Sequence, residues 1–267
     1  MLAALLLPLL AQASAADFDL SGFQPPTLEQ DRLSVCLAQA NSDPSTAILT
    51  ADQWYAEATG AERSFPQQCL GIAYTRLLRW RAAEGAFLAA REDMLAQNAL
   101  LRARLAAMAG NSALADGRNE DALNDFALAS ADAGLATDIA LRGEIEVDRS
   151  RALVALGRTE EAEAALQKAR SYAPQNSDTW LLSATLSRRK GDLATARAQI
   201  FTAAELDRAN PAIGLEAGVI AALSGNDEAA RKSWQSVLTI APDAPEAETA
   251  RTYLAQLDTP APKEGTE

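Results

Sequence analysis

The run Gly191-Asp-Leu-Ala-Thr-Ala-Arg-Ala-Gln-Ile-Phe-Thr-Ala203 contains the spacing of small and bulky apolar residues that decides the fold class. Ala196, Ile200 and Ala203 are four and three positions apart, so they share one face of an α-helix. Small alanines allow close approach between helices, and the bulky residue fills the remaining gap. Gly191 is suited to end a preceding helix in the left-handed conformation. The run therefore predicts the turn and second helix of a helical hairpin.

The same pattern of a small, a bulky and a small residue occurs five times in the chain. The leading alanines recur at intervals of about 34 to 40 residues, the range of helical repeat arrays. In four repeats a glycine precedes the leading alanine by five positions. The triplets are Ala83, Phe87 and Ala90; Ala122, Phe126 and Ala129; Ala162, Leu166 and Ala169; Ala196, Ile200 and Ala203; and Ala230, Trp234 and Val237. The glycines are Gly117, Gly157, Gly191 and Gly225. Such periodicity indicates an array of stacked hairpins.

Over residues 64–244 these features resemble the tetratricopeptide repeat family, whose repeat has about 34 residues and an Ala-x3-Phe signature. Pro174 and Pro242, each five residues after a triplet, add to the resemblance because proline ends a second helix there. The resemblance implies an all-α solenoid of helical hairpins with a right-handed superhelical twist. It also implies a protein-binding scaffold rather than an enzyme. The expected repeats cover about residues 64–97, 103–136, 143–176, 177–210 and 211–244.

The chain departs from this pattern at several places. The first repeat has Leu78 where the others have glycine, and five or six extra residues separate the first three hairpins, around residues 94–99 and 133–138. Residues 17–63 are expected to contain a degenerate hairpin. A capping helix is expected at residues 245–258, because the last hairpin of a solenoid would otherwise expose its packing face. A polar, proline-rich tail at 259–267 is expected to be disordered.

Residues 1–16 resemble a secretory signal peptide, with a short apolar run followed by small residues. Cleavage is expected after Ala15 or Ala16, and the run is too short to span a bilayer. This predicts a periplasmic protein with no stable membrane insertion after the signal peptide is removed. The alternative is a cytoplasmic protein whose first helix begins with an apolar segment.

The composition restricts the classes of function. The net charge of -12 argues against nucleic acid as a partner, and the absence of histidine excludes histidine-dependent catalysis and histidine-ligated metal sites. No cofactor and no metal is expected. Glu144, Glu146 and Asp148 are interpreted as a solvated helix face. Asn124 and Asp125 are interpreted as capping residues near the start of a second helix.

Cys36 and Cys69 are the two cysteines of the chain, and their separation in sequence is close to one repeat length. That spacing places them on equivalent first helices of adjacent hairpins. In an exported protein we expect them to form a disulfide. The alternative is a pair of buried free thiols.

A protein or peptide partner is expected to bind in the concave groove lined by the first helices, as the family resemblance implies. Helical phase assigns polar and apolar side chains to this face. They are Gln68, Ile72, Arg76, Asn111, Arg151, Thr185, Arg188 and Arg189. The four arginines are expected to form a basic stripe that contacts an anionic group of the partner. Leu215, Val219 and Leu223 make this face apolar in the last repeat, as a docking patch or as the seat of the capping helix.

The predicted function is that of a non-enzymatic protein-protein interaction scaffold of the bacterial cell envelope. Two alternatives remain open at this point. One is a noncatalytic accessory module of cell-wall or polysaccharide machinery, with a glycan in the groove. The other is a cytosolic adaptor.

Overall fold

The computed structural model describes residues 27–258, so the predicted signal peptide and C-terminal tail lie outside the described residues. Within this range the chain forms thirteen α-helices and one 3-10 helix at Gly60–Arg63, with no strand. The helices are α1 Leu28–Ser42, α2 Pro44–Glu57, α3 Ser64–Arg76, α4 Trp80–Asp93, α5 Ala99–Ala115, α6 Asn119–Ala136, α7 Ile139–Ala155, α8 Thr159–Tyr172, α9 Ser177–Arg189, α10 Leu193–Leu206, α11 Pro211–Leu223, α12 Asp227–Ile240 and α13 Pro245–Asp258.

Helices adjacent in the chain pack against one another from α1 to α13, and each hairpin contacts mainly its neighbours. The triplets lie on the second helices α4, α6, α8, α10 and α12, where their residues are buried. The all-α solenoid predicted from the triplets is therefore confirmed. We call the surface formed by α3, α5, α7, α9 and α11 the first-helix face.

The turn within each hairpin follows one backbone pattern. Gly117, Gly157, Gly191 and Gly225 have φ between 73° and 83°, in the left-handed region. Leu78 occupies the equivalent position with φ 56° and an exposed side chain. In its turn, Arg79 N donates a hydrogen bond to Tyr74 O at 2.9 Å. The equivalent hydrogen bond in the next hairpin runs from Arg118 N to Ala113 O, also at 2.9 Å. Leu78 therefore adopts a conformation that is unfavourable for a side chain with a Cβ.

The bulky triplet residue faces the residue sixteen positions earlier, on the first helix. The larger the triplet side chain is, the smaller is the residue that it faces. A Cβ added at Gly71 would lie 2.3 Å from the Phe87 ring. Gly110 with Phe126 and Gly218 with Trp234 show the same close approach. Where the bulky residue is aliphatic, the matching residue carries a side chain. These pairs are Ser150 with Leu166 and Ala184 with Ile200.

The wider spacing of the first three hairpins is accompanied by longer helices. Helices α5, α6 and α7 have 17, 18 and 17 residues, whereas α9 and α10 have 13 and 14. Around the first expected insertion, residues 94–98 form a non-helical connection between α4 and α5, whereas at the second, residues 133–136 belong to α6. Thr137, with φ 58°, ends the lengthened α6.

The N-terminal pair α1 and α2 is joined to the repeats by a disulfide. Cys36 on α1 and Cys69 on α3 are bonded, with their α-carbons 6.0 Å apart, and both side chains are buried. The disulfide predicted from the repeat-length spacing is present. At the other end, Leu215 and Val219 of α11 pack with Tyr253 and Leu254 of α13. The apolar first-helix face of the last hairpin is thus the seat of α13.

Candidate functional site

A cavity of about 320 Å³ opens between α1, α3 and α5, and we call it the N-terminal cavity. It brings together three predicted binding residues, Gln68, Ile72 and Arg76, which are four positions apart on α3. Arg76 is exposed at its rim. The rest of the lining is mainly apolar and consists of Leu37, Asn41, Phe87, Leu105 and Met108.

A second cavity, of about 190 Å³, lies between α7, α8 and α9, and we call it the central cavity. It brings together Arg151, Thr185 and Arg189. Leu166 forms part of the lining at the position where three other repeats have phenylalanine or tryptophan. The remaining lining residues are Ser150, Val154, Leu182 and Leu186. Both cavities therefore combine an apolar lining with an arginine, as expected for sites that bind an apolar and an anionic group together.

The other two predicted binding residues are paired with carboxylates. Asn111 Nδ2 donates to Asp148 Oδ2 at 2.8 Å, and Arg188 Nε donates to Glu216 Oε1 at 2.6 Å. Arg151 also pairs with Asp148. Asp148 and Glu216 thus neutralise two of the four arginines of the predicted stripe. Within residues 27–258, no carboxylate lies within 4.0 Å of the guanidinium of Arg76 or Arg189.

Sequence reasoning missed a buried charged cluster between α4 and α6. Asp125 lies inside α6 with 5% of its surface exposed, so its interpretation as a capping residue is wrong. Among residues 27–258 its Oδ2 has no hydrogen-bond partner. Burial, and then the negative charge of Glu84, raise the pKa of Asp125 to about 7. Glu84 is itself paired with Arg118, which also contacts Asp121 at 2.9 Å.

A signal for the burial of Asp125 is present in the repeats. Asp125 directly precedes the bulky residue of its triplet, and two other repeats have Ala86 and Ala165 at this position, both buried. Aligning the repeats would therefore have placed a carboxylate at an inter-hairpin contact. For Asp125, position within the repeat therefore predicts burial better than the polarity of the side chain does.

A second charged cluster holds the connection between α4 and α5. Arg91 Nε donates to Asp132 Oδ2 at 2.7 Å, and Arg102 Nε lies 3.6 Å from Asp132 Oδ1. Arg102 also donates to the carbonyls of Arg91 at 2.6 Å and Met94 at 3.0 Å. These groups fix the extra helical turn of α5 against α4 and α6.

The acidic cluster on α7 is only partly solvated. Glu146 is buried and lies 3.5 Å from Arg149 and 3.8 Å from Lys168, so its interpretation as part of a solvated face is wrong. In residues 27–258 no three potential metal-ligating side chains converge, and no helix is long and apolar enough to cross a membrane. The carboxylates of this region connect helices through arginine and lysine.

No protein-family model matches the chain, and no curated protein matches it by sequence. Solved structures do match. PilF of Pseudomonas aeruginosa is 14% identical, over 84% of this chain and 97% of that one, with a TM-score of 0.64. PilW, a type IV pilus biogenesis factor, is 15% identical, over 85% of this chain and 100% of that one, with a TM-score of 0.67. TTC0263 of Thermus thermophilus, a tetratricopeptide repeat protein, is 19% identical, over 73% of this chain and 98% of that one, with a TM-score of 0.55.

This chain has the tetratricopeptide-repeat fold. The resemblance that rested on the triplets and glycines is confirmed at the level of the fold alone, since identities of 14%, 15% and 19% are too low to carry function. In tetratricopeptide terms, the N-terminal and central cavities lie between first helices of successive repeats. The ligand depends on the residues of these cavities, because fold alone does not determine a ligand.

Proposed function

We propose that this tetratricopeptide-fold protein is a non-enzymatic scaffold that binds a segment of a partner protein along the first-helix face. The proposal rests on one observation: two cavities on this face contain six of the eight residues that helical phase assigned to binding. Each cavity has an apolar lining for a side chain and an arginine for an anionic group. The partner is therefore a peptide segment with apolar residues flanked by carboxylates.

Arg76 and Arg189 carry the electrostatic part of the proposal. Both are exposed, and neither is neutralised by a carboxylate within residues 27–258. Arginine presents a planar set of donors that bind a carboxylate through two hydrogen bonds. Arg188 serves a different purpose, because its pairing with Glu216 fixes α9 against α11. The anionic contacts are thus assigned to Arg76 and Arg189, with Arg151 shared between Asp148 and the ligand.

We place this scaffold in the periplasm of a bacterial cell envelope, after removal of the signal peptide at residues 1–15 or 1–16. The buried disulfide supports this location, because disulfides form and persist in oxidising compartments. PilF and PilW share the fold, and PilW is a factor of pilus biogenesis. Envelope assembly machinery is therefore the setting in which we expect a partner.

The experiment is capture of partners from an envelope fraction, with a photo-crosslinking residue in place of Thr185 in the central cavity. Charge reversal in Arg76→Glu and Arg189→Glu should weaken binding of the captured partner by more than the roughly 1 kcal/mol of an exposed ion pair, and binding should fall with added salt. Arg79→Glu is the matched control, because Arg79 is an exposed arginine in the turn after α3. Equal affinity of all three variants would rule out the first-helix face as the binding site.

A further inference from the structure

A groove between the second helices α10 and α12 lies on the side of α11 opposite Leu215 and Val219, away from the first-helix face. It consists of two adjoining cavities of about 420 and 280 Å³, which share Ala204, Ala217 and Ser233. The floor is formed by α11 and is apolar, with Ile213 and Ile220 buried beneath it. We call this surface the α10–α12 groove.

The groove is open because three side chains that fill the same place one repeat earlier are missing. Between α8 and α10 the space is occupied by Arg170, Trp180 and Gln199. The Arg170 guanidinium carbon lies 5.4 Å from the Trp180 ring centroid, and Gln199 Oε1 accepts a hydrogen bond from Ser187 at 2.8 Å. One repeat later in the sequence these positions are Ala204, Gly214 and Ser233.

At the rim of the groove the side chains are larger than at the equivalent positions of the flanking repeats. Phe201 stands where the flanking repeats have Gln167 and Gln235, and 62% of its surface is exposed. Arg208 stands where the flanking repeats have proline. An exposed aromatic side chain beside an apolar floor is typical of the anchor residues of protein interfaces.

The charge of the groove is the reverse of the charge of the chain. Arg197, Arg208 and Lys232 line it, whereas Asp207 is the one carboxylate among its lining residues. In the described part of the chain, none of the three cationic groups lies within 4.0 Å of a carboxylate. Unpaired positive charge on a protein of net charge -12 favours an acidic partner over a basic one.

We propose that the α10–α12 groove binds an acidic amphipathic helix of a partner protein. Its apolar side would contact Phe201 and Ala217, and its carboxylates would face Arg197, Arg208 and Lys232. From Arg197 to the end of α10 at Leu206 the helix rises about 14 Å, which is roughly two and a half helical turns. Insertion of an apolar helix face into a groove is a common mode of peptide recognition. This surface is separate from the first-helix face, so the two proposals fail independently.

The test uses the full chain and a fluorescent 18-residue peptide with leucine at helical positions i, i+3, i+4 and i+7 and glutamate at most others. A scrambled peptide of the same composition is the reference. We expect the amphipathic peptide to bind at least tenfold tighter than the scrambled one, measured by fluorescence anisotropy, with affinity decreasing as salt is added.

Two variants separate occupation of the groove from general charge attraction. Phe201→Gln restores the residue of the flanking repeats and should weaken binding at least tenfold. Ala204→Arg introduces the arginine that the preceding repeat has at the equivalent position, Arg170. The new side chain fills the groove, so it should also weaken binding although it adds positive charge. Arg79→Glu, in the turn after α3 and outside both surfaces, is the charge-matched control and should leave the affinity unchanged. Circular dichroism melts verify that each variant folds.

Several results would overturn the proposal. Tighter binding in Ala204→Arg would mean that charge attraction, not the groove, holds the peptide. Loss of binding in Arg189→Glu would place the peptide on the first-helix face. Self-association that Phe201→Gln abolishes in sedimentation would make a second copy the occupant. Tenfold tighter peptide binding on charge reversal of Glu264 and Glu267 would make the chain's own tail the occupant.

Discussion

The region from α4 to α7 and the region from α9 to α12 stack their hairpins through different side chains. In the first, the leading alanines of successive repeats are farther apart than the family period, and charged clusters around Arg118 and Asp132 connect α4 with α6. In the second, the spacing equals the family period, and the contact between α10, α11 and α12 is made by alanine, isoleucine and glycine. The second helices of the irregular repeats are thus connected by ion pairs, whereas α10 and α12 of the regular repeats meet through small apolar residues and leave room for a groove. The ion pair of the regular region, Arg188 with Glu216, joins two first helices instead.

The largest effect on the N-terminal region is expected from its disulfide. Cys36→Ala with Cys69→Ala should lower the free energy of unfolding by about 3 to 4 kcal/mol, because the bond closes a loop of 33 residues in the unfolded chain. Urea denaturation of the variant and of the wild-type protein measures the difference. Wild-type protein in reductant should approach the variant. A wild-type protein insensitive to reductant would show that the bond does not stabilise the fold.

The next largest effect is expected from the pair of Gly71 and Phe87, which tests whether the two facing residues of one hairpin are matched in size. Gly71→Ala places a Cβ 2.3 Å from the Phe87 ring and should destabilise the protein by about 2 to 3 kcal/mol through overpacking. Adding Phe87→Leu should recover much of the loss, because the double variant resembles the Ser150 and Leu166 pair. Thermal melts of the two single variants and the double variant form the cycle.

Additive effects in that cycle would contradict the size-matching argument. A useful reference is Ala184→Gly, opposite Ile200, which removes a Cβ that the hairpin already accommodates. It should cost at least about 1 kcal/mol, the difference in helix propensity between alanine and glycine, because a buried methyl group is lost as well.

The fold was accessible from the sequence because the residues that determine it recur. The triplets, the turn glycines and the cysteine spacing all report on position within a repeat, so one pattern predicts the solenoid and the pairing of Cys36 with Cys69. Helical phase likewise predicts that Gln68, Ile72 and Arg76 share a surface, since it depends on one helix alone.

The partners of charged residues were not accessible in the same way. Arg188 finds Glu216 and Asn111 finds Asp148 across separations of 28 and 37 residues, on a neighbouring first helix. These contacts depend on the twist between hairpins, which a periodicity does not specify. The α10–α12 groove arises from missing side chains, so it becomes visible only when each repeat is compared with the one before it.

The buried charged cluster between α4 and α6 should make the stability of the protein depend on pH. The pKa of Asp125 is raised from 3.8 to about 7 in the folded chain, so between these values the folded state binds more protons than the unfolded state. Stability from this group is present below pH 4 and is lost as pH rises toward 7. Asp125→Asn should therefore stabilise the protein at pH 8 by roughly 1 to 3 kcal/mol and have little effect at pH 4.

Urea denaturation at the two pH values measures this difference. Asp52→Asn, an exposed substitution on α2, is the control and should change stability little at either pH. An Asp125→Asn variant less stable than the wild type at pH 8 would show that the carboxylate is favourably paired in the folded protein.

The smallest effect compares the first hairpin turn with the later ones. Leu78 has φ 56° where Gly117 has φ 74°, and its exposed side chain contributes little packing. Leu78→Gly should therefore stabilise the protein by about 1 kcal/mol, because glycine adopts the left-handed conformation without strain. The reverse change, Gly117→Leu, should destabilise by a similar amount, which thermal melts can measure. If Leu78→Gly is less stable than the wild type, Leu78 makes contacts in solution that offset its backbone strain, and the two turns are not equivalent.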